Sequence, residues 1–526
     1  MTKKYEIIII LSLLIVDLLV PKLSSQTISK YNHASIRTAG CVNSDNIKDF
    51  FSFSQFQIQS TSNVENVDSW DSMWLCNMLD TTISRSGIDF YNMLPGQTIN
   101  TFPNARRLTN NKAHLCRYIH RAFPQTGGEN IHMSCFVLPE HENKLNMAMS
   151  HNDDSRWIMK PEVGSGGRGL TLLGSADIQK ILHQKNKHQR LHQPSIYVQK
   201  YLHNTFLLDY LLPSKNKIIK VKFDFRIYFA ITNLQPLRVW IHRKGFSRLT
   251  TKEFSVTGSA ATDLQRHVAN IHFQTQYPES YTFTKSRFDD CRGSCRSLQC
   301  VLHEMSKRTG KSVNSIWNSI DDVLGKTGAA IQPAIQTEYS CNGCYQIWGA
   351  DIVFDTNANP YLLEVNTSPS IERKNLLADG SILEMVYPDL WSMKGVDPTK
   401  SRATSKCNDW RDILYLLIDP GAVHKNGLLH TLLWMKASDA KGGEIDVIFA
   451  KAMEMITEYK YRGGFELGWP MDATVANKLA NIESNKMDTN GETKDGSHLM
   501  TAKHAMIYEI YFQLVKNFDN VNNVCF

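Results

Sequence analysis

A predicted β-hairpin near residues 351–366 constrains the fold of this chain more strongly than any other sequence feature. Two apolar segments flank a polar turn at 355–360, a pattern typical of two antiparallel strands. The hairpin would carry Asp351 on its first strand and Glu364 and Asn366 on its second. Because Glu364 and Asn366 are two residues apart, their side chains leave the same face of the strand. The fold must therefore present three oxygen-bearing side chains together.

The oxygen atoms of these three side chains suit a Mg²⁺ ion that keeps part of its shell for water and substrate phosphates. The alternative is a hairpin whose Asp and Asn residues serve only its turn, and we adopt that interpretation for residues 355–359. Glu364 differs, because it lies between Leu363 and Val365, where an unpaired carboxylate would cost several kcal/mol. The pattern favours a metal site.

The size and charge of the chain set broad limits on its organisation and partners. A chain of 526 residues exceeds what one hydrophobic core usually organises, which predicts two or three domains. The formal charge of +7 is too small for a histone-like protein, and we predict no nucleic-acid partner. Basic residues concentrated around a cleft would favour an acidic partner instead.

Five of the eleven cysteines are grouped in the sequence, as Cys291, Cys295 and Cys300 and as the pair Cys341 and Cys344. A zinc cluster is one hypothesis for them. It is disfavoured, because the last pair directly precedes the strand that leads to the hairpin and no second Cys-x-x-Cys with finger-like spacing accompanies it.

Residues 1–25 form an amino-terminal hydrophobic segment. Its apolar run at 7–20 follows two lysines and is short for a spanning helix, so it fits a signal sequence or a short anchor. Asn366 begins a glycosylation sequon, and a glycan on a metal ligand would block the site. We therefore predict that the catalytic part of the chain faces the cytosol, with residues 7–20 as a candidate membrane tether.

The remaining sequence divides into three regions. Residues 26–95 are polar and irregular, and residues 96–398 alternate helices and strands as an α/β core. Within this core, 142–154 is predicted to be a polar loop. Residues 399–526 are predicted to be a helical extension that contains a flexible linker near 481–498.

A glycine-rich turn at 164–169 matches G-x-G-x-x-G, which alone is weak evidence. The acidic residue of a dinucleotide-binding fold is absent about twenty positions later, and neither the Walker nor the kinase motifs occur. The interpretation that is left is a flexible glycine loop that carries Arg168 and lies beside Lys160, at the end of the preceding strand. These two cations can bind phosphates.

Charged residues alternate with phenylalanines in a predicted strand at 222–226. Lys222, Asp224 and Arg226 therefore share one face of this strand. A solvated sheet surface would explain that segment equally well. Arg248, which follows in the same predicted sheet together with Arg243, favours a charged site instead.

Seven ordered motifs between about Ile99 and Leu390 resemble the tubulin tyrosine ligase-like family of ATP-grasp enzymes. They are Trp157-Ile-Met-Lys160-Pro, the Gly-Arg168-Gly loop, Val198-Gln-Lys-Tyr-Leu202, Lys222-Phe-Asp-Phe-Arg226, Gly245-Phe-Ser-Arg248, His267-Val-Ala-Asn270, and Asp351 with Leu363-Glu-Val-Asn366. The resemblance implies an α/β (α+β) ATP-grasp fold with two lobes around a nucleotide cleft, followed by the helical extension.

The resemblance also implies the site residues. ATP would be held by Lys160, Gly166, Gly167, Arg168, Gly169, Gln199, Lys200, Tyr201, Leu202, Lys222, Asp224 and Asn270, with 199–202 as the hinge beside the adenine. Mg²⁺ would be bound by Asp351, Glu364 and Asn366. Arg226 and Arg248 would contact the transferred phosphate and the incoming amino acid, and together with Glu364 they are the predicted catalytic residues.

The implied reaction turns a substrate carboxylate into an acyl phosphate with ATP, after which the amine of an amino acid attacks and phosphate leaves. In this family the acceptor is typically the glutamate-rich tail of tubulin. Tubulin and microtubules are thus the implied partners, and the implied location is the cytoplasm, on microtubules, including those of cilia.

The segment at 462–465 resembles polyglutamylases, which makes L-glutamate the predicted donor. Departures at Ala269 and Thr275, and the lack of an expected lysine near 382–384, keep other donors open. A ligase that adds tyrosine or glycine to another acidic protein is one alternative. A catalytically weak microtubule-binding scaffold is another.

Overall fold

Three β-sheets and the helices that pack on them make up the described part of the protein. The computed structural model describes residues 35–39, 57–60, 72–75, 90, 93 and 465–469 and, with gaps, the chain from 98 to 369. The longer gaps lie at 106–110, 125–127, 151–155, 162–168, 188–195, 282–290 and 336–340. The predicted tether at 7–20, the linker near 481–498 and most of the predicted helical extension lie outside the described residues.

The first sheet lies in the amino-terminal part of the chain. It contains β1 (Ser35–Ala39), β2 (Gln57–Ser60), β3 (Ser72–Leu75) and β4 (Thr98–Ile99), in the parallel order β2-β1-β3-β4. Met73, Leu75 and Ile99 are buried and join the main hydrophobic core. Short parallel strands therefore occur within a region that we predicted to be irregular.

A small antiparallel sheet follows. Its elements are α1 (Lys112–Ala122), β5 (Cys135–Leu138), α2 (Glu142–Ser150), β6 (Arg156–Pro161), β7 (Thr171–Gly174), α3 (Ser175–Lys187) and β8 (Ile196–Lys200), with strand order β5-β8-β6-β7. The side chain of Asn111 accepts hydrogen bonds from the amides of Ala113 and His114, which fixes the start of α1.

The helix α2 occupies a segment that we predicted to be a loop. Leu145 and Met149, four residues apart, are its buried residues, so they lie on one face and pack against the small sheet. The segment is mostly polar and one of its four apolar residues, Met147, is exposed, so its apolar pattern does not mark one helical face clearly.

The main sheet has seven strands. Its elements are β9 (Leu207–Leu212), β10 (Lys217–Leu234), β11 (Leu237–Leu249), α4 (Ile271–Gln274), β12 (Cys295–Ser297), α5 (Leu298–Thr309), α6 (Val313–Ile335), β13 (Gln346–Phe354), β14 (Pro360–Asn366) and β15 (Phe465–Trp469). The order is β12-β11-β10-β13-β14, with β9 paired to β10 and β15 paired to β11. The strand β15 thus adds part of the predicted extension to the main sheet.

One face of the main sheet forms the hydrophobic core. Phe223, Phe225, Ile227 and Phe229 alternate along β10 and are buried in this core, which also contains buried residues of α6. The charged residues between the phenylalanines leave the opposite face, as the period of two predicts. The α+β class predicted from the sequence is confirmed. The small sheet and the main sheet are antiparallel, whereas the amino-terminal sheet is parallel.

The zinc cluster that the sequence disfavoured does not form among the described residues. Cys291 is bonded to Cys300, Cys341 is bonded to Cys344, and Cys295 is a buried free thiol. These five cysteines do not gather three ligand atoms at one point. In the described part of the chain, none of the helices is both long and apolar enough to span a bilayer.

Candidate functional site

A cavity between the small sheet and the main sheet brings the separate sequence motifs together. Its lining includes most of the described residues that we predicted for the site, namely Lys160, Gln199, Lys200, Tyr201, Leu202, Lys222, Asp224, Arg248, Asn270, Asp351 and Glu364. These residues come from β6, β8, β10, β11, β13 and β14 and from the segment that leads into α4. The fold therefore assembles one site from elements as far apart as residues 160 and 364.

Strand register explains how the main sheet positions its charges. Asp224 lies opposite Arg248 across β10 and β11, and Arg226 lies opposite Asp351 across β10 and β13. Asp351 in turn lies opposite Glu364 across β13 and β14. Cross-strand partners have Cβ atoms about 5 Å apart on one face of the sheet, so these side chains interact directly.

A β-bulge in β14 sets the position of Glu364. The register between β13 and β14 shifts after Asp351, because Ile352 pairs with Leu362 rather than Leu363. Leu362 and Val365 therefore point into the core, whereas Leu363 and Glu364 both line the cavity. The bulge turns two consecutive side chains towards the site, a known use of such irregularities.

Two arginines and two aspartates form a buried network at the base of the cavity. Arg248 Nε donates to Asp224 Oδ1 at 2.6 Å, and its Nη2 lies 2.7 Å from Asp351 Oδ2. Arg226 Nε donates to Asp351 Oδ1 at 2.6 Å. Both aspartates are thus held by charge-assisted hydrogen bonds, which fix their orientation.

The two aspartates differ in their electrostatic surroundings. Burial would raise the pKa of Asp351, but Arg226 and Arg248 hold it well below its usual range. Burial raises the pKa of Asp224, and the nearby negative charge of Asp351 adds to that rise, although Arg248 opposes it. Asp351 is therefore an ionised carboxylate at neutral pH, which is the form that binds a cation.

On the small sheet, Lys160 projects into the cavity from the end of β6. Its Nζ donates to Gln199 Oε1 at 2.7 Å. Gln199 Nε2 in turn lies 3.3 Å from His132 Nε2, so the glutamine amide donates to the imidazole. Burial lowers the pKa of His132 to about 3, which keeps its ring neutral and able to accept this bond. His132 and Gln199 together orient the lysine.

Lys222 approaches the cavity from the main sheet. Its Nζ lies 3.9 Å from the centre of the Tyr201 ring, a cation–π contact. The Tyr201 hydroxyl donates to His267 Nδ1 at 2.8 Å, because His267 Nε2 donates to the carbonyl oxygen of Ala260 at 3.0 Å. Burial lowers the pKa of His267 to about 4. A neutral histidine therefore positions the ring that faces Lys222.

Burial also lowers the pKa of both lysines. The pKa of Lys160 falls to about 8, although Glu364 opposes the change, and the pKa of Lys222 falls to about 7, although Asp224 opposes it. A buried ammonium group with few anionic partners loses hydration that nothing replaces. Both lysines would regain their full charge beside an anion.

The carboxylates fit a hard divalent cation. Asp351 and Glu364 are cross-strand partners and both line the cavity, and their oxygens are the donor type that Mg²⁺ prefers. Asn366 lies opposite Gly349, one step further along the hairpin, and its Nδ2 donates to the Gly349 carbonyl at 3.4 Å. Unlike Asp351 and Glu364, Asn366 is not among the residues that line the cavity.

Several predicted residues lie elsewhere or outside the description. Gly166, Gly167 and Arg168 belong to the undescribed gap at 162–168, and Gly169, with φ of 72°, is the first described residue after it. Arg243 is not part of the site, because both of its terminal nitrogens donate to Asp321 on α6 and its guanidinium stacks over Trp317.

Sequence analysis assigned no role to three residues that the structure places at or behind the site, although it quoted one of them, His267, within a motif. Lys112, at the start of α1, lies 3.8 Å from Glu364 through its Nζ and lines the cavity. His132 and His267 support Gln199 and Tyr201 as described above. The Lys112 position offered one usable signal, a lysine directly after a helix cap, whereas the isolated His132 offered none.

Comparisons with known proteins identify related sequences. The model of the family described as "Tubulin-tyrosine ligase family" matches residues 91–401. The chain is 29% identical over 402 residues to a Tetrahymena thermophila protein named "Probable beta-tubulin polyglutamylase", covering 72% of this chain and 30% of that protein.

Two further relatives carry similar names. The chain is 29% identical over 314 residues to a probable tubulin polyglutamylase of Caenorhabditis elegans, covering 58% of this chain and 68% of that protein. It is 26% identical over 312 residues to a tubulin monoglutamylase of Mus musculus, covering 57% of this chain and 24% of that protein. The chain thus spans less than a third of the Tetrahymena and mouse proteins.

Proposed function

Because the chain belongs to the tubulin-tyrosine ligase family, we propose that it is an ATP-dependent ligase of ATP-grasp fold that adds L-glutamate to the acidic tails of tubulin. The observation that carries this proposal is the convergence of two buried lysines, Arg248 and an aspartate–glutamate pair on one cavity between two sheets, with Arg226 hydrogen-bonded to that aspartate. Similarity to tubulin glutamylases from three organisms supports the choice of donor and acceptor.

The lysines form the phosphate end of the proposed nucleotide site. Lys160 and Lys222 reach the cavity from opposite sheets, and the glycine-rich gap at 162–168 follows β6, which carries Lys160. The residues Gln199 to Leu202 line the cavity at the end of β8 and would lie beside the adenine. Burial of this hinge would exclude water from the adenine ring, and the lysines would neutralise the phosphates.

The main sheet supplies the catalytic groups. When bound at Asp351, Glu364 and Asn366, Mg²⁺ would neutralise charge on the phosphates that ATP carries. Arg226 and Arg248 are fixed by hydrogen bonds to the aspartates, so they can hold the transferred phosphoryl group and the acidic substrates without reorganisation. No side chain needs to act as a nucleophile, since the substrate carboxylate attacks the γ-phosphorus itself.

Lys112 and Glu364 form the side of the cavity towards α1. A carboxylate that is 29% exposed and 3.8 Å from Lys112 Nζ can accept a metal ion without losing a strong ion pair. The Asp351 carboxylate is already bound by two arginines. We therefore assign Glu364 as the main metal ligand. Asp351 would position the two arginines as well as the metal ion.

An acidic tubulin tail suits the charge of the chain. The net charge is +7, and cations concentrate around the proposed site. A glutamate-rich peptide would be steered towards such a site, and salt would weaken the encounter. The proposed location is the cytoplasm, on microtubules, including ciliary ones. A tether through residues 7–20 remains part of the proposal.

The decisive experiment incubates purified tubulin with the chain, ATP, Mg²⁺ and one of three amino acids. Mass spectrometry of the tubulin tails should show added glutamate and neither glycine nor tyrosine, and ATP hydrolysis should accompany the addition. The variant Glu364→Gln should lose at least about a hundredfold in rate, since one metal ligand is lost. Glu304→Gln, on the solvent side of α5, serves as the matched control and should retain full activity.

Two outcomes would contradict the proposal, one in part and one as a whole. Addition of glycine or tyrosine would overturn glutamate as the donor and leave the ligase assignment in place. Turnover of ATP by the wild-type chain at the rate of Glu364→Gln, together with binding to microtubules, would show a scaffold that retains the fold without catalysis.

A further inference from the structure

A cluster of two cysteines and a histidine lies between α1 and β5, outside the lining of the nucleotide cavity. Cys116 and His120 are on α1, and Cys135 is the first residue of β5. One ligand atom from each of the three residues lies within 4.8 Å of the other two. Because Cys116 and His120 are four residues apart, they share one face of the helix.

The two sulfur atoms are sheltered from solvent. Cys116 is 0% exposed and Cys135 is 1% exposed, and they pack with Ala113, Val137 and Tyr197 in a small apolar cluster. His120 is only partly buried and lies at the edge of this cluster. A metal ion held by these side chains would have an apolar shell on one side and access to solvent on the other.

The histidine is held in the form that binds a metal. Its Nε2 lies 2.8 Å from the carbonyl oxygen of Cys135, and since a carbonyl oxygen only accepts, Nε2 carries the proton. The lone pair of the neutral ring is therefore on Nδ1. Metal-bound histidines commonly donate their other nitrogen to a backbone carbonyl in this way.

The neighbouring His141 does not compete for the ion. Its ring centre is 5.1 Å from that of His120, but its Nδ1 accepts the amide proton of Val137 at 3.2 Å. Its Nε2 lies 3.4 Å from the carboxylate of Glu140. Both nitrogens of this second ring already have partners, so water would complete the shell of an ion bound by the other three residues.

We propose that the dithiol form of the protein binds one thiophilic cation of the Zn²⁺ class through Cys116, Cys135 and His120. Two thiolates and a neutral imidazole around a doubly charged ion give a site with no net charge, which is the arrangement an apolar environment tolerates. Sulfur and imidazole ligands select zinc over magnesium. The site therefore differs in chemistry from the proposed magnesium site at Asp351 and Glu364.

In the structure the two sulfurs are joined as a disulfide, so ion binding requires reduction. A thiol reductant supplies two electrons and two protons, which breaks the sulfur–sulfur bond and yields two thiols. The entering Zn²⁺ then displaces both thiol protons to solvent. Reduced thiols are the usual state of cysteines in the cytosol.

The location of the site suggests what the ion stabilises. Cys135 pairs with Gln199 in the register of β5 and β8, and the amide of Lys200 donates to the carbonyl oxygen of Ser134 at 2.8 Å. Gln199 and Lys200 line the proposed nucleotide cavity. A bound ion would clamp α1 onto the edge strand that supports this hinge.

The test uses the full chain, reduced with a phosphine under argon, stripped of metal and desalted. Titration with Zn²⁺ against a chromophoric chelator should assign one ion to these ligands, and Co²⁺ should give a sulfur-to-cobalt charge-transfer band. Cys116→Ser should remove that ion and that band. His120→Asn, which keeps both thiols and the apolar cluster, should weaken binding by at least about tenfold. Added Zn²⁺ should raise the melting temperature of the reduced wild type.

Matched controls are Cys295→Ser and the double variant Cys341→Ser with Cys344→Ser, each of which should bind the ion like the wild type. The proposal is overturned if the reduced wild type takes up no zinc, or if the ion survives in both Cys116→Ser and His120→Asn. Should Cys116→Ser not fold, His120→Asn alone decides. None of these measurements depends on ligase activity, so they remain informative even if the proposed function is wrong.

Discussion

Binding of ATP should draw protons into the site, because Lys160 and Lys222 are partly neutral in the empty protein. Their pKa values of about 8 and about 7 leave them short of charge in the neutral to alkaline range. At pH 8 about half of Lys160 and about nine-tenths of Lys222 would be neutral, so restoring both charges takes up about 1.4 protons per ATP. At pH 6 the uptake should fall to about 0.1 protons.

The sign of the pH dependence follows from the same values. If both lysines are fully protonated in the complex, the affinity for ATP should fall about tenfold between pH 7 and pH 8. Stability of the ATP-free protein should change in the opposite direction. Unfolded lysines keep their protons up to about pH 10.4, whereas these two lose them near 7 and 8, so unfolding of the empty protein binds protons and stability rises with pH across this window.

The assay is calorimetric titration with a non-hydrolysed ATP analogue and Mg²⁺ in two buffers of different ionisation enthalpy. The difference in measured enthalpy gives the number of protons taken up. Lys222→Gln should reduce the uptake at pH 8 to about 0.5, the share of Lys160. Lys217→Gln, at the start of β10 and exposed, should leave it unchanged. An uptake near zero for the wild type, or an unchanged uptake in Lys222→Gln, would refute the assignment of these lysines to the phosphates.

Three further outcomes are expected. Gly245→Ala would drive its Cβ into the carbonyl oxygen of Arg226, so we expect unfolding in urea to show a loss of about 3 kcal/mol in the free energy of unfolding. The control Gly174→Ala should be nearly neutral, because its Cβ would meet no atom closer than 3.7 Å. Asp321→Ala would leave Arg243 unpaired, and since that arginine is 28% exposed we expect a loss of about 2 kcal/mol by the same assay, less than for a fully buried pair. Raising the ionic strength from about 0.05 M to about 0.3 M shortens the Debye length to about 6 Å, so co-sedimentation of the protein with microtubules should weaken several-fold. Stronger co-sedimentation at high salt would contradict an electrostatic encounter.

Sequence patterns predicted the parts of the site that depend on strand periodicity. The alternation of Lys222, Asp224 and Arg226 with phenylalanines indicated which side of β10 carries charge. In the structure Lys222 and Asp224 line one cavity, and Arg226 is hydrogen-bonded to Asp351, which lines it too. The hairpin with Asp351 and Glu364 was predictable for the same reason, because apolar segments around a turn define both strands and their pairing.

Other parts of the site depend on contacts that leave no local pattern. His132 reaches Gln199 because residue 132 forms an isolated parallel bridge with Leu362, more than two hundred positions away. The bulge that turns both Leu363 and Glu364 towards the cavity depends on the register of β13 against β14, which the sequence of β14 alone does not encode. Lys112 similarly meets Glu364 only through tertiary packing.

The distribution of charge in the cavity explains why the lysines, and not the arginines, respond to a ligand. Arg226 and Arg248 already satisfy Asp224 and Asp351 through direct hydrogen bonds. Those ion pairs are complete without a substrate. The lysines have weaker anionic contacts and lie among buried groups, so they give up protons instead of remaining charged and unpaired. When a polyphosphate binds, the arginines and aspartates are therefore already in place, and only the two lysines gain protons. The change in protonation on binding is confined to two side chains on opposite sheets.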